Sequence, residues 1–126
     1  MINVQKQIEY WIKGAIEDFE SAGILIEKKR FLHGLFFCHL VIEKGLKAHV
    51  VKVSQEVAPR THNLIQLLEK AKLELSDKEE VFLGILMKYQ LQGRYPDYNP
   101  VIPEEQIAQN YVKQTEELLQ WLKKKL

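Results

Sequence analysis

FLHGLFFCHLVIEKGLKAHVVKV, residues 31–53, decides the fold. Leu32, Leu35, Ile42, Leu46, Val50 and Val53 recur at helical spacing on one face, and Phe37 and Val41 fall on the opposite one. A helix that is apolar on two sides needs two covers. It is therefore either the central element of a bundle or a helix that also meets a partner subunit.

Upstream, Val4, Ile8, Trp11, Ile12, Ala15, Phe19, Ala22 and Ile26 form one stripe and predict a first helix from Val4 to Glu27. Downstream, the segment 54–62 carries Pro59 and, near its end, Thr61, a good cap for a third helix from about Asn63 to Lys72 built on Leu64, Leu67, Leu68 and Ala71. Ser76 with Glu79 three residues later is a capping-box pair for a fourth helix, which carries Val81, Phe82, Ile85, Leu86 and Tyr89. One glycine and three prolines in residues 92–103 preclude a continuous helix there and make it the one long irregular loop. Pro103 suits the first position of a last helix that runs to the lysines 123–125, whose charge complements its C-terminal end. No strand-type alternation or repeat is present. The expectation is an all-α, up-and-down bundle of four main helices plus a short one, forming a single domain over residues 1–126.

Composition narrows the partners. With 46% hydrophobic and 28% charged residues the chain is neither disordered nor membranous in character. Its 18 Lys and Arg nearly cancel 17 Asp and Glu, so nucleic acid would have to be met by a local patch rather than a global basic field. Residues 1–10 do not resemble a signal peptide, and the run from Leu35 to Ile42 is broken by His39, so no membrane contact is expected. The single cysteine, Cys38, lies in an apolar stretch, reads as a core residue rather than a nucleophile, and suits a reducing, cytoplasmic setting.

Ionisable residues on the central helix are the first chemical signal. His39 sits in the middle of the apolar stripe, with Glu43 and Lys47 following at successive four-residue steps. Either Glu43 and Lys47 are a surface pair worth a few tenths of a kcal/mol beside a core histidine, or the three groups are buried for a functional reason, since burial is costly unless groups are paired. Asp18 falls near the edge of the first helix's stripe and would take Lys47 or Arg94 as a partner if buried. The four histidines, 33, 39, 49 and 62, have no metal-ligand spacing, and neither metal nor cofactor is expected.

The loop string Arg94-Tyr95-Pro96-Asp97-Tyr98 is the second signal. Arg grips phosphate bidentately and Tyr stacks on a base, so Arg94, Tyr95 and Asp97 suit a nucleotide or single strand. They also suit a stiff turn packed on the bundle.

Taken together, several strings resemble the HEPN domain of prokaryotic proteins. They are Glu17-Asp18-Phe19 with Ala22, then Glu43-Lys44-Gly45-Leu46-Lys47-Ala48, then Thr61-His62-Asn63-Leu64, and finally Tyr89 with Arg94-Tyr95-Pro96. The resemblance implies a four- or five-helix bundle that commonly forms a homodimer, a nucleotide- or RNA-binding role, and pairing with a minimal nucleotidyltransferase in toxin–antitoxin modules. It draws His62 into the candidate set beside Asp18, His39, Glu43, Lys47, Arg94, Tyr95 and Asp97. Many relatives are metal-independent ribonucleases in which an Arg is followed four to six residues later by a His. Here Arg30 precedes His33 by too little, Arg60 precedes His62 by still less, and Arg94 has no later His, which argues against carrying the nuclease over.

Three functions are therefore expected in order. The first is a binding module for nucleotide, RNA or a nucleotidyltransferase, the second a ribonuclease toxin using His39 or His62 with Arg94, and the third a structural dimer built on Phe37 and Val41.

Overall fold

The computed structural model describes residues 2–91 and 101–126. They form α1 (Val4–Glu27), α2 (Phe31–Ser54), α3 (Leu64–Ala71), α4 (Asp77–Leu91) and α5 (Glu105–Lys125). The all-α bundle expected from periodicity is the architecture found, with boundaries close to those read from sequence.

α2 packs against each of the other four helices. Every residue from Val41 to Val51 except Lys44 is buried, so three turns of this helix have no outer face. That is the physical reason its sequence is apolar on both sides. Of the two residues expected on a dimer face, Val41 is fully buried within the chain, while Phe37 is half-buried and packs on one side against the core. Val53, assigned to the core face, is 41% exposed, in a last turn of α2 whose residues 52–54 are all exposed.

The α1–α2 hairpin sets the position of the ladder. Arg30 N–H donates to the Leu25 carbonyl at 2.8 Å and Lys29 N–H to that of Ile26 at 2.9 Å, closing the end of α1. Lys29 takes φ 62 to do so, a left-handed conformation that costs a non-glycine residue about 1–2 kcal/mol. The chain then reverses, and Gly34 lets the helices meet closely: a Cβ there would lie 2.5 Å from Ile26 Cδ1 and 3.3 Å from the Ala22 carbonyl oxygen.

Caps fix the remaining starts. Asn63, not Thr61, caps α3, its Oδ1 accepting from the N–H groups of Ile65 and Gln66 at 3.0 Å. Thr61 supports it by accepting from Asn63 N–H at 3.1 Å. The Ser76–Glu79 capping box is present in both directions. Pro103 precedes α5 rather than opening it, since Glu104 is still extended and serves as the cap position. Among the described residues no helix is long and apolar enough to cross a membrane.

Candidate functional site

Residues four apart on a helix stack about 6 Å above one another on one face, so His39, Glu43 and Lys47 climb a single line on α2. All three are buried. The exposed-pair alternative is thereby corrected: Lys47 Nζ donates to Glu43 Oε2 at 3.0 Å with the two side chains only 6% and 5% exposed.

The connection after α2 folds back onto this line. His62 Nδ1–H donates to both carboxylate oxygens of Glu43 at 3.1 Å, and His39 Nε2–H donates to the His62 backbone carbonyl at 3.1 Å. His39 Nδ1 lies 3.6 Å from Glu43 Oε1. One buried carboxylate thus gathers an ammonium and two imidazoles from two elements. A buried charge is tolerable when it is paired and hydrogen-bonded, and Glu43 has both.

His62 differs from its partners in exposure. Its side chain is 51% exposed while Glu43 beneath it is 5% exposed. With Nδ1 held from below, the ring orientation is fixed and Nε2 is the nitrogen left for an external group. An imidazole oriented this way can donate to a phosphate oxygen or move a proton.

The seam continues onto α1. Lys47 Nζ sits 5.2 Å from the centre of the Trp11 ring, a cation–π contact. Asp18 pairs with Lys44 at 2.7 Å rather than with Lys47, and Gly14 leaves the room in which the Lys44 stem lies. Arg94, the other expected partner of Asp18, lies outside the described residues, as do Tyr95 and Asp97. The structure therefore brings together His39, Glu43, Lys47 and His62, with Asp18 one step along the same hairpin.

Trp11 reads in the sequence as plain core, and nothing there singles out His49 beyond the signal it shares with His39, a histidine within an apolar helix. His49 Nε2–H donates to the Leu122 carbonyl at 2.7 Å, tying α2 to α5, and burial lowers its pKa against the opposing pull of that bond. Cys38 is buried as expected, and burial pushes its thiol up to about 11, partly offset by Thr115. Among the described residues no group of three His, Cys, Asp or Glu side chains could hold a metal.

Comparison with solved structures places this arrangement on a known fold. The crystal structure of TT1696 from Thermus thermophilus matches with a TM-score of 0.79 at 19% identity, covering 95% of this chain and 98% of that one. The crystal structure of ST0689, described as an archaeal HEPN homologue, matches with a TM-score of 0.62 at 21% identity, covering 94% and 96%. No curated protein matches the chain. The HEPN domain model matches residues 8–126, a span that includes α2, His62 and the whole of the seam, and the chain accordingly belongs to the HEPN domain family.

Proposed function

We infer that this chain is a HEPN binding module whose ligand is a nucleotide or RNA, met at His62. The observation that carries the reading is the half-exposed His62 ring held through Nδ1 by a buried carboxylate, a group arranged to face outward in one orientation. Glu43 and Lys47 support that ring rather than touch the ligand, because both are buried. On chemistry alone, Arg94 and Tyr95 supply a phosphate grip and a stacking ring, and Asp97 an acceptor for a ribose hydroxyl. Family membership supports a nucleotidyltransferase as protein partner in a two-component, toxin–antitoxin-like system.

Calorimetric titration with ATP, GTP and a short single-stranded RNA tests it. Saturable binding weakened at least about tenfold, or about 1.4 kcal/mol, in His62→Ala is the expected result. Binding that is unchanged in His62→Ala removes His62 from the site. No binding to any of the three moves the function to a protein partner, for which a minimal nucleotidyltransferase is the ligand to titrate next.

A second reading is favoured by the same pair. A carboxylate-backed imidazole is also the geometry of a general acid or base, which metal-free RNA cleavage requires. A ribonuclease predicts cleavage in EDTA that disappears in His62→Gln. Intact RNA after prolonged incubation with wild-type protein excludes it.

A further inference from the structure

The hydrogens of the His62 ring follow from what lies beneath it. Glu43 is buried and ion-paired with Lys47 at 3.0 Å, so its two oxygens are acceptors only. Both lie 3.1 Å from His62 Nδ1, which must therefore carry hydrogen. In a neutral imidazole only one nitrogen does. Nε2 has no hydrogen-bond partner among the described residues and is then a bare lone pair on a half-exposed ring.

That assignment restricts what the ring can hold. A phosphate oxygen is also an acceptor, and two facing lone pairs repel. Nε2 binds a phosphate only after it takes a second proton, which makes the ring an imidazolium and the bond charge-assisted, about twice as strong as a neutral one. The neutral ring instead accepts from a donor such as a hydroxyl, and at an exposed site that bond replaces one to water with little net gain.

The charges below favour the first arrangement. Lys47 balances Glu43, so the buried carboxylate is not left to repel an anion above the ring, and a second ring proton gives the unit of His62, Glu43 and Lys47 one outward positive charge. The other ionisable groups near it are His39, which holds the His62 carbonyl, the Lys44–Asp18 pair further along the seam, and Glu56 and Arg60 on the ring's own segment. The first turn of α3, Leu64 to Leu67, carries no charge.

We propose that His62 meets its ligand as an imidazolium on a phosphate oxygen, and that binding takes up one proton. The proton comes from solvent and adds to the Nε2 lone pair, and no bond in the ligand breaks. The proposal rests on the reading of His62 as the ligand contact and adds the group recognised and the proton that accompanies it.

Calorimetric titration with an adenosine trinucleotide lacking terminal phosphates, whose phosphodiesters do not titrate near neutral pH, and with adenosine tests it. Titrations at about pH 8, above the ordinary histidine range, in two buffers of different ionisation enthalpy count the protons exchanged. The expected result is net uptake approaching one proton per trinucleotide, affinity that falls as pH rises by up to about tenfold per unit, and adenosine bound at least about tenfold more weakly. His62→Gln donates through its amide without titrating, so it should keep part of the binding, exchange no proton and lose the pH dependence. Binding that takes up no proton in the wild type, or uptake that persists in His62→Gln, overturns the proposal while a loss of affinity in His62→Ala leaves the contact at His62 standing. Binding indifferent to His62→Ala, or no binding of either probe, overturns both.

Discussion

Replacing Glu43 with Gln keeps the shape of the side chain but removes the charge that faces Lys47 Nζ at 3.0 Å in a site where both side chains are at most 6% exposed. Breaking a buried pair by deleting one partner leaves the other charge uncompensated and costs about 3–5 kcal/mol. Gln still accepts a hydrogen bond, so Glu43→Gln belongs near the bottom of that range, about 3 kcal/mol. Lys47→Met removes the ammonium and leaves the Glu43 carboxylate to His62 Nδ1–H at 3.1 Å, and about 2–3 kcal/mol is expected there. The double variant has no unpaired charge and should cost no more than the larger single change. The coupling between the two positions is then about 2 kcal/mol or more, whereas an exposed pair at this spacing gives a few tenths. Urea unfolding followed by far-ultraviolet ellipticity measures all four proteins, and with total stability on the order of 5–15 kcal/mol the single variants remain foldable. A coupling below about 0.5 kcal/mol would refute the claim that Glu43 and Lys47 act as a buried unit.

Three other outcomes are expected. His49 has a lowered pKa when folded, so the unfolded chain binds more protons as pH falls below the ordinary histidine value near 6.5. Its stabilising contribution is full above that pH and is lost as pH falls toward the folded value. Urea midpoints should therefore drop between about pH 7.5 and 5.5, and less so in His49→Gln. Gly34→Ala forces a Cβ to within 2.5 Å of Ile26 Cδ1 and should cost about 1–3 kcal/mol, read as a melting temperature lower by several degrees. Cys38, with its thiol raised to about 11 and no solvent exposure, should resist iodoacetamide in the folded protein and react once urea unfolds it.

What the sequence disclosed follows from which information is local. Helix existence, the central place of α2 and the capping box at Ser76 rest on periods and spacings of a few residues, and each is found in the structure. The line of His39, Glu43 and Lys47 was visible for the same reason. Its burial was not, because exposure of a helix flank depends on what packs there. Joining His62 to Glu43 spans 19 residues and a loop whose path no spacing rule predicts. The partner of Asp18 shows the same limit. Lys44 and Lys47 are one turn apart on α2, and only the register of the α1–α2 hairpin, set at Gly34 and the Lys29 turn, decides between them. Phe37 and Val41 were legible as a second apolar face, but the complete burial of Val41 within the chain was not.

The most direct test of a ligand site at His62 is a magnetic resonance titration of the protein with nitrogen-15 histidine rings, adding ATP and then a short single-stranded RNA. The account predicts saturable movement of the His62 ring resonances, with those of His33, exposed in the first turn of α2, unmoved. Ligand binding that leaves the His62 ring unchanged, or no response of any ring to either ligand, would contradict it.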